Sequence, residues 1–406
     1  MLNNYRPVIE RIGPQERQYV TEVLDDQFRS SRGAHFMGRL EKSFSDLYGS
    51  TFAISMVNGT ATLHASLEAM GIGVGDEVIV PPLTMSATTF AVLQTGATPV
   101  FADVDERTYQ ISADSIESRL TERTKAIISV ALYGLSPDMD AIMNIANQKK
   151  LFVLEDNAEC FLGSYKGRLA GTNGHAASFS FQSSKHLTSG EGGIVITDNE
   201  EFALNLRRIS SLGYAGVGPS SGKITKRDIQ DPNYNRHVSM GWNYRMPELC
   251  CAVALAQVER ISELVERRKA VAILFGEAVD KYKWFEPQFV PEDCENSYWT
   301  YVGTLSDQGP SWRTFRDAFM SNGGDGIYAA WQLTYLEPMM QKMNLLGRES
   351  FINPQRSAEY RPGLCPIAEK IQPRLLQFKT NYWDWADAER QAIVLEKTMR
   401  QLSSNN

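Results

Sequence analysis

From about residue 50 to 200, short apolar or β-branched runs alternate with stretches in which apolar residues recur every three or four positions. The first pattern predicts buried strands and the second amphipathic helices. Phe52–Val57 reads as a strand. Leu63, Leu67 and Met70 then recur at helical spacing, and Gly71 ends that helix. Glu77–Val80 reads as a strand stopped by Pro81 and Pro82. Thr88–Thr95 reads as helical, Pro99–Ala102 as extended, Ala126–Leu132 as a long apolar strand and Met139–Gln148 as a helix. Leu151–Glu155, Ala177–Phe181 and Gly193–Thr197 complete the strands. Continuous apolar strands between helices predict an α/β fold, with a parallel or mixed sheet covered on both faces.

The pattern breaks over 213–240, a stretch rich in Gly, Ser and charge that reads as one long loop. Glu248–Arg268 returns to helical spacing, with Leu249, Ala252, Leu255, Val258 and Leu264 on one stripe. The domain change is expected at its end. That gives a large domain over 1–268, with an N-terminal arm, and a smaller α+β domain over 269–406, which includes a strand at Trp299–Leu305.

Composition narrows the classes. The 406 residues are 43% hydrophobic and 22% charged, within the range of globular proteins. No apolar run approaches the roughly 20 residues that span a bilayer. Residues 1–20 carry scattered charges and no apolar block, so neither a secretory signal nor a membrane partner is expected. A net charge of −7 without a basic block argues against nucleic acid as a partner. Five Cys without a CxxC pair suit reduced thiols in a cytoplasmic protein. Five His without ligand spacing predict no metal site.

Two nucleotide signatures nearly occur and both fail. The Gly71–Asp76 stretch has Asp76 where a dinucleotide fingerprint needs its third Gly, and it precedes a strand rather than following one. The Gly218–Lys223 stretch is one residue short of a P-loop, and Ile224 is not Ser or Thr.

Four other features suit one chemistry. Asn58-Gly59-Thr60-Ala61-Thr62 lies between a strand and a helix, where free N–H groups and a Thr hydroxyl form an anion seat. A plain helix cap would account for the same residues. Asp156 stands at the carboxyl end of a strand, the edge where α/β sheets bind ligands. There it could pair with a pyridinium N–H, or simply cap a helix. Lys185 follows Ser180 by five residues, after an apolar strand and before the Gly-rich turn Ser189–Gly193. A confined amine with a lowered pKa can form a Schiff base, although a single lysine is more usually solvated. Finally, Gly241-Trp242-Asn243-Tyr244-Arg245-Met246 leads into the helix at 248.

In order and spacing these residues resemble the DegT/DnrJ/StrS sugar aminotransferases, pyridoxal-phosphate (PLP) enzymes of fold type I. The resemblance runs from about residue 10 to 400. It includes Gly75–Pro81, the Lys166-Gly167-Arg168 turn and Cys365–Glu369. It implies that Lys185 carries PLP and moves protons during catalysis. Asp156 would bind the pyridine nitrogen, and Thr60, Ala61 and Ser180, beside Gly59, would hold the phosphate. Glu159 would lie near the pyridoxal O3′. Asn243 would reach the phosphate of a neighbouring subunit, so a homodimer is implied. L-Glutamate or L-glutamine would be the donor, with the cofactor alternating between PLP and its amino form PMP. The acceptor would be a keto-sugar, most simply a nucleotide-linked one. The GEGG turn after the lysine also resembles members acting on keto-cyclitols or making aminohydroxybenzoate.

The chain departs from the family pattern in places. Met85 stands where most members put an aromatic ring over the cofactor, and a thioether can pack there instead. His186 follows the lysine, whereas in related sugar dehydratases a His replaces it. A PLP-dependent dehydratase and a non-catalytic regulator of the same fold stay open as alternatives. Lys223, Arg227 and Arg236 of the long loop, together with His186, are candidate substrate contacts, since cations there could meet a diphosphate or a carboxylate.

Overall fold

The computed structural model describes residues 8–28, 36–221 and 230–404. The apolar runs become strands β1 (Phe52–Met56), β2 (Glu77–Val80), β3 (Thr98–Phe101), β4 (Thr124–Val130) and β5 (Phe152–Asp156). Short strands β6 (Ser164–Tyr165) and β7 (Arg168–Leu169) precede β8 (Ala176–Ser180) and β9 (Gly193–Thr197). The main sheet has the order β1-β9-β8-β5-β4-β2-β3. Neighbours from β8 to β3 pair in parallel; β9 alone runs against both of its neighbours. Every residue of β2, β3, β5, β8 and β9 is buried. Burial on both faces is why these strands read as unbroken apolar runs.

The helices carry their own start signals. Helices α1 (Pro14–Asp25) and α2 (Phe36–Tyr48) precede the sheet. Helix α3 (Gly59–Ala69) is capped by Asn58, whose side chain accepts from the Ala61 N–H. Helices α4 (Ala87–Thr95), α5 (Ala113–Arg119), α6 (Met139–Lys149) and α7 (Glu200–Ser210) complete the first half. Phe44 of α2 is fully buried among Tyr48, Phe161, Phe179 and Phe181. Burying one such ring stabilises the fold by roughly 2–3 kcal/mol.

Two expectations need correction. The expected single helix over 248–268 is two: α8 (Glu248–Glu259) and α9 (Ile261–Val279). The break is at Arg260 (φ −126°). Its guanidinium is drawn onto Glu16 and the carbonyls of Glu10 and Arg11, at 2.6–2.9 Å, which pulls the backbone out of helix. The expected boundary at 268/269 lies inside α9, between Val265, which packs in the large-sheet side's core, and Ala270, which packs in another core with Phe275, Tyr301 and Phe378. Several strand ends also move: β4 runs Thr124–Val130 rather than Ala126–Leu132, and Asp156 is the last residue of β5 rather than just beyond it.

The C-terminal sheet, β10 (Phe285–Pro287), β12 (Thr300–Leu305), β14 (Leu375–Lys379) and β13 (Ile327–Ala329), is antiparallel throughout. Strand β11 (Cys294–Glu295) instead joins β6 and β7. Helices α10 (Trp312–Ser321), α11 (Pro366–Ile371) and α12 (Trp385–Ser403) accompany that sheet in sequence. Between β13 and β14 the chain returns to the large sheet. Leu333, Tyr335, Ile352, Tyr360 and Ala368 join the large-sheet core, and the Asp103 carboxylate accepts from the first-turn N–H groups of α11 at 2.8 and 2.9 Å. Among the described residues, no helix is long and apolar enough to cross a membrane.

Candidate active site

The carboxyl ends of the parallel strands gather the sequence-selected residues. Asp156 ends β5 and Ser180 ends β8. Asn58 and Gly59 follow β1, and Met85 lies five residues after β2. This is the edge at which open α/β sheets bind ligands. Strand β9 starts here because it runs the other way, and its first residue, Gly193, packs on Asn58. A Cβ on Gly193 would lie 2.8 Å from the Asn58 carbonyl carbon. Gly59 is equally constrained: a Cβ there would meet the Ser180 Cβ at 2.9 Å. That close approach brings the first turn of α3 against the Ser180 side chain. Since Asn58 already takes the Ala61 N–H, the Gly59 and Thr60 N–H groups and the Thr60 hydroxyl are the donors that the start of α3 can offer an anion.

Asp156 is buried. Its Oδ2 accepts from the Thr88 hydroxyl at 2.9 Å and its Oδ1 from the Ala158 N–H at 3.2 Å. Burial pushes its carboxyl pKa up, against the pull of Thr88, Ala158 and the Lys185 charge. Glu159 is also buried. It accepts from Lys185 Nζ at 3.1 Å and, with its other oxygen, from the Tyr133 N–H at 3.1 Å. Burial raises its pKa as well; Lys185 and Tyr133 oppose the rise and the Asp156 charge adds to it.

Lys185 is only 9% exposed. Its Nζ sits 4.4 Å from the centre of the Trp299 ring. The chain around it is fastened from several sides. Arg11 and Arg268 both donate to the Lys185 carbonyl at 2.9 Å. Arg268 and the Trp299 indole N–H donate to the Ser184 carbonyl at 2.8 and 3.0 Å. So the amine is confined, and the buried Glu159 carboxylate is its ion-pair partner at 3.1 Å.

The other sequence-selected residues divide. Met85 is 51% exposed, open to a ligand at this edge. His186 is fully buried, packs on Phe161 at 5.6 Å and bonds the Ser297 carbonyl through Nε2 at 2.9 Å. The structure does not bring it to the surface where a substrate would lie. Burial and the Arg268 charge hold its pKa well below the ordinary value, so it is neutral. Asn243 is exposed on the segment after the long loop, paired with Ser211 through the backbone. Arg236 is exposed on the same loop. Lys223 and Arg227 lie outside the described residues.

Thr88, Tyr133, Arg268 and Trp299 were not selected from the sequence. Thr88 lies within the expected helix near Met85, which was a usable signal. Trp299 is 114 residues from the lysine, and no local pattern joins them.

The donor set fits a phosphorylated pyridine aldehyde: a confined amine, a buried carboxyl group and a helix-start anion seat at one sheet edge.

Comparison with known proteins agrees. Residues 10–381 match the DegT/DnrJ/EryC1/StrS aminotransferase family. The chain is 36% identical over 296 residues to GDP-perosamine synthase of Escherichia coli O157:H7, covering 73% of this chain and 76% of that protein. An aminotransferase from Psychrobacter cryohalolentis superposes with a TM-score of 0.85 at 28% identity, over 98% of this chain and 99% of the other. An E. coli GDP-4-keto-6-deoxy-D-mannose-3-dehydratase solved with hydrated PLP shares the fold, with a TM-score of 0.80 at 22% identity over 96% of this chain and 99% of the other. The chain belongs to the DegT/DnrJ/EryC1/StrS aminotransferase family.

Proposed function

We propose that this protein is a PLP-dependent aminotransferase that moves an amino group from L-glutamate, or L-glutamine, to a keto-sugar carried on a nucleotide. The observation that carries the reading is the meeting of Lys185, Asp156 and the start of α3 at one sheet edge. Family membership and the dehydratase solved with hydrated PLP support the cofactor. The relative named GDP-perosamine synthase supports a nucleotide-linked sugar as acceptor.

Bound PLP supplies an electron sink for the bonding pair released at the substrate carbon. The chain's own residues do the rest. Lys185 holds the cofactor through Nζ, then accepts and returns the substrate proton at the same atom. Asp156, whose pKa burial raises, would hold the ring nitrogen and favour its protonated form. Gly59, Thr60 and Ser180 would seat the phosphate, with Ala61, whose N–H is taken by Asn58, beside them, and Met85 would pack on the ring. Glu159, which accepts from Lys185 Nζ, would face the ring oxygen. Asn243 of one subunit reaches the phosphate in its neighbour, so the working unit is a homodimer. Arg236 would meet the nucleotide, a role for which Lys223 and Arg227 are candidates on sequence alone. The five free thiols suit a reaction in the cytoplasm.

Lysine at 185, not histidine, favours amine transfer over dehydration. The intact Lys185, Asp156 and Ser180 set favours an enzyme over a regulator. The test is absorbance of the purified protein. A band at about 410–430 nm should move to about 330 nm on adding L-glutamate. Lys185→Ala should lose the response. A protein that stays colourless with added PLP would refute the cofactor reading. A band that neither donor moves would refute the donors.

A further inference from the structure

Asn243 reaches outward from a segment that has its own fastening, and the fastening returns to α3. His64 lies one turn into α3 and is buried. Its Nδ1 pairs with the Tyr244 hydroxyl at 3.1 Å, and its Nε2 lies 3.2 Å from Glu68 on the next turn. Glu68 also accepts from the Trp242 indole N–H at 2.7 Å. The three rings pack together, with Trp242 and Tyr244 nearly parallel (8°) and 6.0 Å apart. Asn243 stands between those two ring residues in the chain.

The backbone repeats the link. The Val57 N–H donates to the Tyr244 carbonyl at 2.9 Å, one residue before the Asn58 cap. Trp242 and Tyr244 donate to the Ile209 and Ser210 carbonyls at the end of α7. The arm is therefore held on both sides, and α3 supplies its side-chain contacts. Burial pushes the Glu68 carboxyl up, but His64 and Trp242 more than offset this and hold it below its ordinary value. A charged Glu68 is a strong acceptor for Trp242.

We infer that His64 and Glu68 are positioning residues that fix the Trp242–Tyr244 arm on α3, so that Asn243 is presented at the phosphate of the neighbouring subunit. The same helix faces its own subunit's phosphate with its N-terminus. One rigid element thereby sets both phosphate contacts, its own and the neighbour's. The clamp rests on the proposed reach of Asn243.

The experiment measures affinity of the apoprotein for PLP and for pyridoxal, which lacks the phosphate, in His64→Leu, Asn243→Ala and the double variant. His64→Leu removes a pair of polar contacts while filling the buried site, and should weaken PLP about tenfold. Pyridoxal affinity should stay within about twofold of wild type, because the clamp acts through the phosphate. A merely structural loss would weaken both ligands. In the double variant His64→Leu should add nothing to Asn243→Ala, the sign of a shared contact. If Asn243→Ala weakens PLP and His64→Leu does not, the clamp is overturned while the reach of Asn243 stands. If Asn243→Ala itself leaves PLP affinity unchanged, the reach fails and the clamp with it. Should His64→Leu not fold, Trp242→Phe deletes only the indole donor to Glu68 and should show the same phosphate-dependent loss, about threefold. Equal losses for PLP and pyridoxal in Trp242→Phe would also overturn the clamp.

Discussion

Two ends of one sheet bury carboxylates and treat them differently. At the start of β2, Glu77 has no side-chain exposure. It accepts from Arg123, Arg356, Thr121 and Asn353. Burial pushes its pKa up, and those donors more than reverse the push, so it is held below its ordinary value. At the other end, Asp156 has one hydroxyl and one N–H, and Glu159 has a lysine and one N–H. Burial wins there and both are raised. The amino-end carboxylate is a finished structural joint that fastens the returning C-terminal segment to the sheet. The carboxyl-end pair is left short of donors, which is how a site waits for a ligand that brings a proton or a cation.

The sharpest way to test the contrast is to neutralise each carboxylate without changing its shape. Asp156→Asn should lower kcat by about 10²–10³-fold, the loss typical of one preorganised charge. Its apoprotein should be no less stable than wild type, since an uncompensated buried carboxylate is removed. Stopped-flow turnover and thermal unfolding of the same preparation check both halves. A stable but fully active variant would detach Asp156 from the chemistry.

Glu77→Gln should do the reverse. It strands Arg356 and Arg123, and should cost about 3 kcal/mol of stability, the scale of a broken buried pair. Turnover of the folded fraction should stay within about twofold, because Glu77 lies at the opposite end of the strands from the site. The pH dependences should have opposite signs. Glu77 has a depressed folded pKa, so its stabilisation is present above its ordinary value of 4.5 and is lost as pH falls through the lower folded value. Asp156 has a raised folded pKa, so its contribution is lost as pH rises from its ordinary 3.8 through the higher folded value. Unfolding of the apoprotein from about pH 3 to 7 should therefore show Glu77→Gln losing a rise and Asp156→Asn losing a fall.

The difference between the two ends also marks what the sequence reveals. Strands buried on both faces print as apolar runs, so β2 and β9 appear with their true bounds and most others within two residues. Asp156 and Lys185 are legible because the first ends such a run and the second comes five residues after another, with Ser180 and the Gly-rich turn fixing the register. Glu77 is invisible as a joint, because Arg356 is 279 residues away and only the fold joins them. Trp299 beside Lys185 is hidden for the same reason. The break at Arg260 is tertiary too: helical spacing runs through it, and the pull of Glu16 and the N-terminal carbonyls overrides the local preference. The changeover at 268/269 lies inside a helix with no local punctuation: α9 runs from one core, which ends at Val265, into another, which starts at Ala270.

The mildest change probes the residue that looks most catalytic and is placed otherwise. His186 adjoins Lys185 in sequence, yet its ring lies in the core with Nδ1 unpartnered and Nε2 on the Ser297 carbonyl. His186→Leu should change kcat/KM by no more than about twofold, because nothing in its position touches the carboxyl-end edge. The lost hydrogen bond should cost about 1 kcal/mol, partly offset by the apolar side chain in its place. The informative readout is pH. Burial and the Arg268 charge depress the folded pKa, so the unfolded chain takes up a proton there below about 6.5 while the folded chain does not. Wild type should lose up to about 1.4 kcal/mol per pH unit from this group on acidification below that point, and His186→Leu should not. The two stability curves should therefore converge, or cross, between about pH 7 and 5. If instead the variant loses turnover at constant stability, the imidazole takes part in the reaction, and the division between a ligand-facing edge and a neutral core behind it would have to be redrawn.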